Sequence, residues 1–169
     1  MSLRQGDKRM REIKFLGKRV DNGEWVYGDL LQPNLIVADW CNETGTQVFD
    51  LEAYAVIPET IGQFTGLKDK NGNKIFEGDV VKQSFQQNTP EDFYAHEESH
   101  VVEGYHQGVV KITPNGVSIM RPYFVITYDD WDEDISPKIL KNPKSVRGYR
   151  SEILGNIHDN PELLDVKEG

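Results

Sequence analysis

The residues best placed to do chemistry lie together at 96–100: His96-Glu97-Glu98-Ser99-His100, an H-E-x-x-H pattern. On a helix the two histidines sit one turn apart on one face and can hold a zinc ion. Glu97 can then act as general base toward a water bound to that ion. The pattern fixes only three positions, so chance matches are common. Other candidates are thinner. The acidic run Asp129-Asp130-Trp131-Asp132-Glu133-Asp134 lacks the ligand spacing of a calcium loop and reads more simply as a solvated loop. Asp69-Lys70-Asn71-Gly72-Asn73 has its glycine too early for an EF-hand and no glutamate at the twelfth position. His158 stands alone, and there is no G-x-S-x-G, phosphate loop or dinucleotide fingerprint. No catalytic, cofactor-binding or metal-ligating residue is assigned on this basis.

An H-E-x-x-H site needs a helix beneath it. Thr89-Pro90-Glu91-Asp92 offers a start: Thr89 can cap, Pro90 suits the first turn, and the acids favour the positive end of the helix dipole. A helix from about 90 to 103, closed by Gly104, is one reading, and a flexible loop is the other. In the extended metzincin pattern His106 would stand at the third ligand position, and Ser118-Ile119-Met120-Arg121-Pro122 would resemble the Met-turn. That pattern requires glycine where Glu103 stands; Gly104 comes one residue late and turns His106 away. The helix would carry only Phe93, Tyr94 and Ala95 as apolar residues before the motif, too short a stripe for a buried active-site helix. The segment 83–106 therefore reads as a polar, His-bearing insertion. Zinc-dependent hydrolysis through His96, Glu97, His100 and His106 stays as the alternative.

Around that insertion the chain is written as short strands. Asp21-Asn22-Gly23 separates two apolar runs, 12–20 and 24–31, a strong hairpin signal because both Asn and Gly accept positive φ. Strands follow at 35–40, 47–49 and 53–57, the last stopped by Pro58. A second Asn-Gly hairpin joins 60–67 to 74–76, and Gly78-Asp79 starts a new strand. Beyond the insertion come strands at 108–113, 117–120 (joined by Asn115-Gly116), 123–128 and 152–157. A terminal helical turn is capped by Asn160. The order Asn-Gly, aromatic, Gly-Asp, two aliphatics occurs at 22–31 and again at 71–81; internal duplication and shared hairpin chemistry both account for it. The pattern predicts a mainly β fold: an antiparallel short-strand sandwich or one or two small, partly open β-barrels. One domain spans 10–165, with a division into two β subdomains, about 10–82 and 107–165, as a variant; 1–9 and 166–169 are tails.

Composition narrows the function. Of 169 residues 28 are acidic and 19 basic, giving a formal charge of −9, so a phosphate backbone would be repelled overall and nucleic-acid binding is disfavoured. The basic stretch from Arg4 to Arg19 reads as a charged start to a solvated strand rather than a nucleic-acid arm. Cys41 is the single cysteine, which rules out an internal disulfide or a cysteine-based zinc cluster; it reads as packing beside Trp40. No run of 18 apolar residues and no signal peptide is present, so a soluble, cytoplasmic protein is expected.

The stretch 58–81, PETIGQFTGLKDKNGNKIFEGDVV, resembles the signature of the YopX family. Three further pieces are similar in the same order: the opening Met10 to Phe15, the strand Gly108-Val109-Val110, and Glu152 to Leu164 near the C-terminus. The resemblance implies a phage or prophage gene product, mostly β, with no established enzymatic activity, no cofactor and no catalytic residues to carry over. It places 83–106 in a variable connection. Edge strands and abundant aromatics lead to the expectation of a non-enzymatic module that binds a phage or host protein and forms a homo-oligomer.

Overall fold

A computed structural model describes residues 12–38, 52–88, 101–129 and 137–165. These residues form two antiparallel six-stranded sheets, with no long helix among them. The first sheet runs in the order β4 (Ala53–Ala55), β3 (Leu35–Ala38), β2 (Trp25–Gln32), β1 (Phe15–Lys18), β5 (Gly62–Lys68) and β6 (Lys74–Phe76). The second runs β10 (Lys138–Ile139), β9 (Gly116–Asp129), β8 (Val101–Thr113), β7 (Asp79–Asn88) and β12 (Ser151–Asn156); β11 (Lys144–Ser145) adds to β9 beside β10. The expectation of a mainly β fold of antiparallel sheets is borne out, and among the described residues neither sheet closes into a barrel.

All three Asn-Gly hairpins form, but not with both turn residues at positive φ. Gly23, Gly72 and Gly116 take φ of 72°, 88° and 111°, while none of the asparagines does. Side chains close two of these loops instead. Asp69 Oδ1 accepts the N–H of Asn71 and of Asn73, and Asn22 Oδ1 accepts that of Glu24. The two Gly-Asp pairs differ in role. Gly28-Asp29 lies inside β2, whereas Gly78, at φ 89°, turns the chain between β6 and β7.

Alternating burial follows the pleat. In β2, Val26 and Gly28 are buried while Tyr27 and Asp29 face outward. The main core joins the sheets: Ile75 of β6 packs with Val81, Val110, Ile119 and Val146. Smaller clusters, Leu16–Phe64–Phe76 and Val26–Ile36–Val56, fill the first sheet. Backbone bonds stitch the sheets together where the chain passes between them. The N–H of Gly78 donates to Val110 O, that of Ile157 to Gly78 O, and that of Lys70 to Ser151 O.

Two expectations need correction. The segment 83–106 does not break the β pattern in its described parts: 83–88 lies in β7 and 101–106 in β8, paired in register from Val80↔Val109 to Asn88↔Val101. Residues 101–103 are strand, so the expected helix does not extend through them. Polar side chains suggest a connection in the sequence, yet a strand with solvated faces tolerates them. Second, 117–120 and 123–128 are one strand, β9, interrupted by a bulge at Arg121-Pro122. The expected strand at 47–49, Cys41, the 90–100 part of the helix and most of the acidic run lie outside the described residues.

Candidate functional site

The segments with the most distinctive sequence, 58–81 and 152–164, meet at a seam between the sheets. Asp79, buried at the start of β7, accepts the Phe76 N–H through Oδ2 at 2.8 Å and the Asn156 amide through Oδ1 at 3.2 Å. Desolvation pushes its carboxyl up to about 6, against the pull of those two donors. Asp69, also buried, accepts N–H bonds from Asn71, Asn73 and, at 3.4 Å, Ile153 of β12. At the far end Asp159 takes the Lys18 ammonium at 2.5 Å and the Trp25 indole N–H at 2.6 Å, which hold its carboxyl below the ordinary range. The carboxylates of the signature thus tie turns and strands together. Sequence reasoning placed Asp79 in a turn but not opposite Asn156, because pairing between strands distant in sequence leaves no local signal.

His96, Glu97 and His100 lie outside the described residues. His106 is described, in the middle of β8, where its cross-strand neighbours are Gln83 and Phe124. Its ring stands 5.0 Å from that of Phe85 and 5.3 Å from that of Phe124, and its Nδ1 is buried without a protein partner. Burial, and then the nearby Lys144, lower its pKa. A ring held between two phenylalanines on a strand is not the third ligand expected after a metzincin helix. Met120 likewise belongs to β9 and not to a Met-turn. His158 lies beside Trp25, ring centroids 6.4 Å apart. Among the described residues no three of His, Cys, Asp and Glu are grouped to hold a metal.

The most accessible recognition feature is a three-stranded arm. β12 stops pairing with β7 at Gln83, and β10 stops pairing with β9 at Phe124. Beyond those points 84–88 of β7, 101–105 of β8 and 125–129 of β9 continue as a ribbon, and no described strand pairs with its two outer edges. Phe85 stacks on Phe124 at 5.4 Å across Gly104, where a Cβ would come within 2.7 Å of the Phe85 ring. The glycine admits the aromatic pair, and Val102 and Ile126 nearby are half-exposed. No described strand takes up the backbone N–H and C=O groups of those edges, and apolar side chains lie alongside.

A family model described as YopX protein matches residues 14–165. A search of curated proteins found no match. Among solved structures, the crystal structure of protein EF1440 from Enterococcus faecalis is similar over 91% of this chain and 99% of its own, with 22% sequence identity and a TM-score of 0.42. No helix among the described residues is long and apolar enough to cross a membrane.

Proposed function

The chain belongs to the YopX family, and from that premise we propose a non-enzymatic accessory protein of a phage or prophage, working in the bacterial cytoplasm by binding other protein chains, its own copies included. The observation that carries the reading is the pair of strand edges on the arm, 84–88 and 125–129, with which no described strand pairs. An added strand would gain a ladder of backbone hydrogen bonds from such an edge, while side chains beside it select the partner. The seam supports the same reading from the other side. The residues that mark the signature are occupied in holding the two sheets together, and a rigid pair of sheets is what a projecting arm needs.

The test is light scattering on wild type and on a Gln86→Lys/Thr127→Lys variant, together with capture from extracts of lysogenic cells. Both positions are exposed on the arm, and lysines on an edge discourage strand addition. Wild type is expected to run above monomer mass or to retain a partner, and the variant to lose that association. A wild-type monomer that retains nothing would overturn the proposal.

A further inference from the structure

We propose that the trough between the outer face of β8–β9 and the C-terminal turn binds a small amphiphile, an unbranched acyl chain ending in a carboxylate. The cavity measures about 380 Å³, within the range of small-molecule sites. Its walls are Val109, Met120, Ile139, Ile157, Leu163 and Leu164. Val109 and Met120 are a cross-strand pair on the sheet face opposite the main core. Leu163 and Leu164 belong to the 3-10 turn Pro161–Leu164, and Gln107 Nε2 donates to Leu163 O at 2.8 Å, fixing that turn against β8. Walls that are aliphatic apart from Tyr123, with one adaptable methionine, suit a flexible hydrocarbon chain.

Two cations, Lys111 and Arg121, line the same cavity, and both are exposed. The ion pairs among the described residues involve neither. In a chain of net charge −9 this is a local exception, and it sets the sign of the ligand's polar end. The backbone supplies a second observation. Gln107 opposes Tyr123 while Val109 opposes Met120, so Gly108 faces both Arg121 and Pro122 across a bulge. A Cβ on Gly108 would lie 2.8 Å from Ile119 Cγ2 and 2.9 Å from Met120 O. Arg121 takes φ of 42°, the only non-glycine residue among those described with positive φ, and Pro122 behind it is fully buried. A bulge re-aims a side chain, and a residue held in the left-handed region persists only where its surroundings impose it. Here both features bring the guanidinium to the mouth of an apolar trough.

Calorimetric titration of sodium decanoate, kept below its micelle concentration, tests this. Wild type is expected to show saturable binding at one site that weakens with added salt. Lys111→Gln/Arg121→Gln should lose about tenfold or more in affinity through loss of charged hydrogen-bond donors. Decyltrimethylammonium, of equal chain length and opposite charge, should not compete. Met120→Trp should abolish binding by filling the floor; should that variant fail to fold, the exposed pair still decides. Absence of saturable decanoate uptake, unchanged affinity in the double glutamine variant, or equal binding of the cationic amphiphile would each overturn the proposal.

Discussion

Asn156 donates its side-chain amide to Asp79 Oδ1 at 3.2 Å, joining the last strand to the first residue of β7 where the chain leaves one sheet for the other. The second oxygen of Asp79 closes the turn by accepting the Phe76 N–H. One buried carboxylate thus organises a turn and a strand pairing at once. Ionisation there is costly, because burial outweighs the two donors and lifts the group to about 6.

That cost gives a pH signature. The folded value lies above the ordinary 3.8, so the folded state holds the proton more tightly than the unfolded chain. Its contribution is fully present below pH 3.8 and is lost as pH rises through about 6. The gap is worth about 3 kcal/mol. Asp69 and Asp159 are held low and act in the opposite sense, losing stability as pH falls. Urea unfolding of wild type and Asp79→Asn at pH 4 and pH 8 isolates the term. Wild type should lose stability relative to the variant on going to pH 8, and parallel changes would refute the assignment.

Two glycines of the seam should respond differently to alanine. A Cβ on Gly62 would lie 2.2 Å from Glu77 O, a backbone atom that cannot step aside, so Gly62→Ala should cost about 3 kcal/mol. Gly78 has room, its nearest neighbour being the Asn156 amide at 3.4 Å, and only its φ of 89° opposes a side chain. Gly78→Ala should therefore cost about 1–2 kcal/mol. Denaturant midpoints that rank the two the other way would show that the turn and not the close approach dominates.

Much of this fold was legible because hairpin chemistry is local. Gly23, Gly72 and Gly116 each mark a real turn. Less was legible where pairing is remote. β10 and β11 are two residues each, too short to leave a periodic signal, and they exist only because β9 offers an edge. The polar stretch before Asn88 and after Val101 looked like a connection because Gln83, Gln86 and Glu103 hide the period of a strand. Gln83 shows how the structure accommodates such residues: its side chain is buried, donating to Ser145 O and accepting from Arg147 N and the Ser151 hydroxyl. For the candidate site, the sequence named the signature but not the unpaired arm, since an unpaired edge depends on where neighbouring strands stop.

His106 offers a stability test. Its buried Nδ1 has no hydrogen-bond partner among the described residues, and an apolar ring there removes an unmet hydrogen-bonding group. His106→Phe should stabilise by about 1 kcal/mol at pH 7. With the folded pKa below 6.5, the unfolded chain binds the proton more readily, so wild type should lose further ground to the variant as pH falls through 6.5. Thermal melts of the two proteins at pH 5.5 and 7.5 check both the sign and the slope.

The H-E-x-x-H pattern is checked by elemental analysis of untagged protein after zinc loading and desalting. Zinc well below one ion per chain is expected, with no change in His106→Ala. Zinc at one ion per chain, lost in His96→Ala/His100→Ala, would restore the metal reading.

The central claim, that another chain covers the edges of the arm, is tested most directly by amide hydrogen exchange on the assembled and the dilute protein. Exchange at 84–88 or 125–129 should slow by at least about tenfold on assembly, because a paired edge amide must open before it exchanges, while the cores around Val81 and Ile36 stay unchanged. Identical protection of both segments in the two states would contradict the account.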